Sequence, residues 1–137
     1  MSEEIRVRAG NIEQMLIHAR SEPSTECCGL LAGTDGIITK IFRAKNALAS
    51  ATAYDVAPEE LFRLFRRMRE EGLEHLGIYH SHPATENFPS PRDIELAGYP
   101  NQAYFIISLL PAAPHPIRAF SIRDGRVKEL KIVITSV

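Results

Sequence analysis

Leu76-Gly77-Ile78-Tyr79-His80-Ser81-His82-Pro83, followed at a short distance by Ser90-Pro91-Arg92-Asp93, is the stretch that decides how this chain is read. The apolar run before the histidines predicts a buried strand. Side chains alternate along a strand with a period of two, so His80 and His82 share one face and emerge together at its end. Asp93 follows eleven residues after His82. Two imidazoles and a carboxylate are ligand types that zinc prefers, and three protein ligands leave a fourth position for water. That open arrangement marks a catalytic site more than a structural one. A plainer reading of Ser90-x-x-Asp93 is a helix start. Ser90 would cap, Pro91 would take the first helical position and Asp93 the third. The two readings are compatible, because a carboxylate in the first helical turn can face a metal beside it.

The spacing His-x-His, seven residues, Ser-x-x-Asp resembles the signature of the JAMM (MPN+) metalloproteases. That family also carries a glutamate well upstream, ahead of a short apolar strand. Glu26, in Thr25-Glu26-Cys27-Cys28-Gly29-Leu30-Leu31-Ala32-Gly33, matches that segment. The resemblance implies one zinc ion per chain on His80, His82 and Asp93, with Glu26 as a general acid/base that is not a ligand. It implies that Ser90 assists as a hydrogen-bond donor to the developing oxyanion, a task that competes with its capping duty. It also implies an α/β fold, a curved and mostly antiparallel sheet flanked by helices, similar in architecture to the cytidine deaminases. Deaminase chemistry itself is excluded, because His-x-Glu and Pro-Cys-x-x-Cys are both missing.

The activity implied is peptidase or isopeptidase cleavage at the C-terminal tail of a ubiquitin-fold protein. The short chain matches the compact prokaryotic type, for which a ubiquitin-like sulfur-carrier protein is the implied partner. Two other readings stay open: a non-catalytic binding module of the same fold, and a zinc hydrolase acting on a small-molecule amide.

Composition sets the remaining bounds. A chain of 137 residues predicts one domain over 1–137. Hydrophobic residues at 45% and a net charge of −1 fit an ordinary globular protein and give no basic surface for nucleic acid. No segment reads as a secretory signal or a membrane span, so a cytoplasmic location is expected. Cys27 and Cys28 are adjacent, poor partners for a disulfide, and no C-x-x-C is present. They are expected to pack as small apolar residues, a nucleophilic cysteine being the sharper alternative.

Along the chain, Ile5–Val7 reads as a strand. Asn11 and Gln14 suggest a capping box opening a helix that ends near Pro23. Leu30–Gly33 and Ile37–Arg43 read as strands joined through Asp35-Gly36. The segment 44–57 is expected to be irregular and superficial. Pro58 opens a helix whose stripe is Leu61, Phe62, Leu64, Phe65 and Met68, and Gly72 closes it. A short helix from Pro91 to about Gly98 follows the loop 83–90. Tyr104–Leu110, Arg118–Ile122 and Val127–Ile134 close the fold as strands, the last two joined through Asp124-Gly125. Ser81 is expected to face away from the ligands. His18, His75 and His115 are expected at the surface.

Overall fold

The computed structural model describes residues 3–135. The strands are β1 (Glu4–Arg8), β2 (Cys28–Thr34), β3 (Ile37–Ala44), β4 (Glu74–His82), β5 (Ala103–Ser108), β6 (Ile117–Arg123) and β7 (Arg126–Thr135). The helices are α1 (Ala9–Ser21), α2 (Pro58–Glu70) and α3 (Pro91–Leu96). The strands form one mixed sheet in the order β1-β3-β2-β4-β5-β6-β7, closed because β1 pairs with both β3 and β7. Four of its pairings are antiparallel and three parallel, the latter being β1 with each of its neighbours and β4 with β5. Closure removes the open edges that would otherwise invite pairing with another chain.

The turns are where the sequence places them. Asp35 and Gly36 both have positive φ, as do Asp124 and Gly125. Two successive left-handed residues are what a type I′ hairpin requires. At the end of α2 the amide of Leu73 bonds the carbonyl of Met68 at 2.8 Å, and that of Gly72 bonds Arg69 at 3.2 Å. Gly72, at φ 70°, makes this Schellman closure free of Cβ strain.

Alternation along the central strands produces two cores. Cys27, Leu31, Tyr79, Phe105 and Ile107 face one side with Met15 and Ala19 of α1. Cys28, Leu30, Ile78, Tyr104 and Ile106 face the other with Leu64 and Met68 of α2. A strand buried on both faces needs no polar alternation, which is why β5 reads as a continuous apolar run. Phe62 does not belong to the α2 stripe: it is 66% exposed, one residue off the buried face.

Four local expectations change. α1 begins at Ala9 with Arg8 in the cap position, so Asn11 lies inside the helix and its amide reaches Gln14 Oε1 at 2.9 Å. α3 stops at Leu96. His18 is 2% exposed and lies 2.7 Å from the Tyr79 hydroxyl through Nδ1 and 2.9 Å from Glu22 Oε2 through Nε2. His75 is likewise only partly exposed, with Nε2 on the Gly77 carbonyl, while His115 is exposed as expected. The aromatic partner explains His18: Tyr79 points into the same core, and its hydroxyl needs a buried partner. Gly29 accommodates the Tyr79 ring, since a Cβ there would sit 2.4 Å from it.

Candidate metal centre

β4 runs to His82 and carries both histidines on the α2 side of the sheet. Cys28 pairs with His80 across the antiparallel β2–β4 ladder. The Ser81 amide bonds the Cys27 carbonyl at 3.1 Å, and Ser81 Oγ accepts from the Cys27 amide at 2.9 Å. The pairing thus continues past the end of β2 and brings Glu26 opposite His82, on the face shared by Cys28 and His80. Ser81 points the other way, as the alternation requires.

Asp93 arrives from the far side on α3. Ser90 Oγ accepts the Asp93 amide at 3.0 Å, and Asp93 Oδ2 accepts the Ser90 amide at 2.9 Å, a complete capping box. The same Oδ2 lies 3.2 Å from His80 Nε2 and 3.0 Å from His82 Nε2. The two Nε2 atoms are themselves 3.2 Å apart. Capping and convergence on the histidines are therefore performed by one oxygen.

The surroundings fix the ligand orientations. His82 Nδ1 lies 2.7 Å from the Glu86 carbonyl, which can only accept, so that nitrogen carries the proton. His82 therefore presents Nε2 to Asp93: protonated, that nitrogen donates to the carboxylate, and deprotonated it is the ligand atom that a metal would take. The loop 83–89 is held for this purpose by polar side chains. Ser108 Oγ donates to the Thr85 carbonyl at 2.8 Å, and Asn87 Nδ2 donates to the His115 carbonyl at 2.7 Å. On the other side the Tyr54 ring stacks on His80, with centroids 4.4 Å apart.

Electrostatics follow from this crowding. Burial works against the ionised form of Asp93, but hydrogen bonds from His80 and His82 outweigh it and hold the carboxyl far below its usual range. Burial lowers the affinity of His80 for a proton, against the pull of Asp93. For His82 burial is outweighed by Asp93 and the Glu86 carbonyl, and the pKa rises. Burial lifts the Glu26 carboxyl to about 7, with the His82 and Asp93 charges acting in opposite directions on it. Glu26 is 4% exposed.

The donor set fits a zinc ion: two imidazole nitrogens and one carboxylate oxygen converge, all within 4.8 Å of one another. Two buried polar atoms at the site, Glu26 Oε1 and His80 Nδ1, have no hydrogen-bond partner among the described residues. Such atoms mark a place built for a further polar group. The cysteine alternative does not survive the geometry. Cys27 and Cys28 are buried and free, and burial pushes their thiols up to about 11 and about 12, where the thiolate nucleophile is scarce.

The fold brings His80, His82 and Asp93 together with Ser90 bonded to Asp93 and Glu26 opposite His82, and residues without a sequence signal position them. Asn46, buried in the segment 45–57, donates through Nδ2 to the carbonyls of Glu26 at 3.0 Å and Ala53 at 2.9 Å. Its Oδ1 accepts the amides of Leu48 and Asp55. That network shapes the segment and presents Tyr54 to His80. A single asparagine between Lys45 and Ala47 carries no sequence signal for this; Ser108 and Asn87 are equally silent.

Residues 8–123 match the model for prokaryotic homologs of the JAB domain. The chain is 35% identical over 125 residues to the CysO-cysteine peptidase of Mycobacterium tuberculosis, covering 90% of this chain and 86% of that one. It is 32% identical to the desampylase of Haloferax volcanii, covering 78% and 82%. The solution structure of protein DSY2949 from Desulfitobacterium hafniense superposes with a TM-score of 0.86 at 35% identity, covering 97% of this chain and 94% of that one. In its sequence match, its sheet and helices, and the convergence of His80, His82 and Asp93, the chain belongs to the prokaryotic JAB-domain family, the compact JAMM/MPN+ type.

Proposed function

We propose that this protein is a zinc-dependent peptidase or isopeptidase that hydrolyses an amide bond at the C-terminal tail of a ubiquitin-like sulfur-carrier protein, in the cytoplasm. The observation that carries the reading is the meeting of His80 Nε2, His82 Nε2 and Asp93 Oδ2 beside a buried, unpaired Glu26 carboxyl. Similarity to proteins named CysO-cysteine peptidase and desampylase supports the substrate class.

His80, His82 and Asp93 would hold one zinc ion. When bound, zinc supplies Lewis acidity, which polarises the scissile carbonyl and brings water deprotonation near neutral pH. Glu26 Oε1 takes the proton of the attacking water and delivers it to the departing amine nitrogen. Burial suits Glu26 to this, because a desolvated carboxylate binds a proton more strongly than an exposed one. Ser90 donates a hydrogen bond through its hydroxyl to the carbonyl oxygen as charge develops there, keeping its proton. This role is compatible with capping: the cap uses a lone pair of Oγ, and the O–H remains free to donate.

The test is a sulfur-carrier protein extended beyond its Gly-Gly tail, incubated with the zinc-loaded enzyme and weighed by mass spectrometry. Removal of the extension is expected, slowed roughly 10²–10⁴-fold by Glu26→Gln. An intact tail at high concentrations of zinc-loaded enzyme would contradict the reading.

A further inference from the structure

Beside Asp93 opens a cavity walled by Leu61, Ile78, Leu96 and three tyrosines, Tyr54, Tyr99 and Tyr104. Asp55, Arg92 and Asp93 line it as well, so its charges are of both signs and single out no ion. In a mostly apolar site the few neutral polar groups fix the orientation of what binds.

The three tyrosines are used differently. The Tyr104 hydroxyl accepts the Tyr99 amide at 3.0 Å. Tyr99 sets its ring against Phe65 and His75. Tyr54 lies on His80, with ring centroids 4.4 Å apart and planes 24° apart. Its hydroxyl has no hydrogen-bond partner among the described residues. A phenylalanine would stack on His80 equally well. What the tyrosine adds is one O–H donor, which keeps its proton at neutral pH. Arg92 is also without a partner among the described residues, but it is exposed, where water competes for its donors; Tyr54 is half-buried.

A Gly-Gly tail offers no side chains, so a site must hold it through its peptide groups. In the reading above, the scissile carbonyl is met by the metal and by Ser90. The preceding carbonyl, that of the penultimate glycine, lies one residue away, a rise of roughly 3.3 Å in an extended chain. It needs a donor on a wall adjoining the metal centre. Tyr54 touches a proposed ligand on one side and lines the cavity on the other.

Resting on the peptidase reading of this site, we infer that Tyr54 is a substrate-binding residue whose hydroxyl donates a hydrogen bond to the carbonyl of the penultimate glycine and so holds the tail in register with His80, His82 and Asp93. The bond is made when the tail binds and is kept in the transition state, so it acts on KM and not on kcat.

The test sets Tyr54→Phe, which keeps the ring on His80, against the parent protein, both zinc-loaded. On a carrier protein extended beyond Gly-Gly, KM should rise about three- to tenfold, the effect of one neutral hydrogen bond, with kcat and zinc affinity unchanged. Cleavage with an unchanged KM would overturn the role of Tyr54 while upholding the peptidase. Weakened zinc binding in the variant would overturn it too, since the hydroxyl would then serve the metal. Calorimetry reads the contact without turnover. It compares two tail peptides ending in Gly-Gly, one natural and one with an alkene in place of the amide between the glycines, which removes the acceptor carbonyl. The preference of the parent for the natural peptide should shrink about three- to tenfold in Tyr54→Phe. That result supports the contact even if no tail is cleaved. A preference of the same size in both proteins, or no binding of either peptide, overturns it.

Discussion

The Ser81 hydroxyl accepts the backbone amide of Cys27 at 2.9 Å, across the end of the β2–β4 pairing. That bond lies on the face opposite the histidines, yet it fixes where Glu26 falls relative to His82. Past Cys28 the chain is held by this bond and by the Ser81 amide on the Cys27 carbonyl, while the Glu26 backbone is tied to the Ser50 carbonyl and to Asn46.

Ser81→Ala should therefore act on turnover without acting on the metal. Loss of the bond leaves the buried Cys27 amide unpaired, a cost of about 1–3 kcal/mol. We expect a lowered thermal midpoint, unchanged zinc stoichiometry and a reduced kcat. Unchanged kcat in a measurably destabilised variant would separate Ser81 from Glu26.

Asn46 makes a second prediction. Its side chain bonds five backbone groups: the Glu26 carbonyl and, in the segment that holds Tyr54 over His80, the carbonyls of Ser50 and Ala53 and the amides of Leu48 and Asp55. Asn46→Ala removes them all and strands buried carbonyls and amides. Destabilisation above about 2 kcal/mol is expected in urea unfolding, together with increased hydrogen exchange across 47–56. A neutral outcome would mean that the segment is held by its apolar residues alone.

The Glu26 carboxyl supplies a pH signature in metal-free protein. Burial raises its pKa from 4.5 to about 7, so the fold favours the protonated form. A raised pKa contributes stability below the unfolded value, and this is lost as pH rises through the folded one. Glu26→Gln mimics the protonated acid at every pH. The metal-free variant should match the parent near pH 4.5 and exceed it increasingly up to about pH 8. The limit is about 3 kcal/mol, at 1.36 kcal/mol per pKa unit. Denaturant titrations of both proteins across this range read the difference, in which other titrating groups largely cancel. A gain independent of pH would show that the carboxyl is not desolvated.

How much of this was legible in the sequence differs by element. The hairpin turns at Asp35-Gly36 and Asp124-Gly125 and the closure at Gly72 are local, so residue type alone dictates them. The convergence of His80, His82 and Asp93 was legible because a period of two and a capping box each constrain direction within a few residues. Asn46, Ser108 and His18 were not, because their partners lie in other elements and nothing local announces a buried polar bond. Phe62 failed for another reason: an apolar residue at the margin of a helical stripe can face solvent, and only packing decides.

The central claim is that His80, His82 and Asp93 hold one zinc ion, and anomalous X-ray scattering at the zinc edge tests it most directly. We predict, in crystals of the zinc-loaded protein, a single strong peak per chain, about 2.0–2.2 Å from His80 Nε2, His82 Nε2 and a carboxylate oxygen of Asp93. A fully zinc-loaded protein whose anomalous peak lies away from these three atoms would contradict the account.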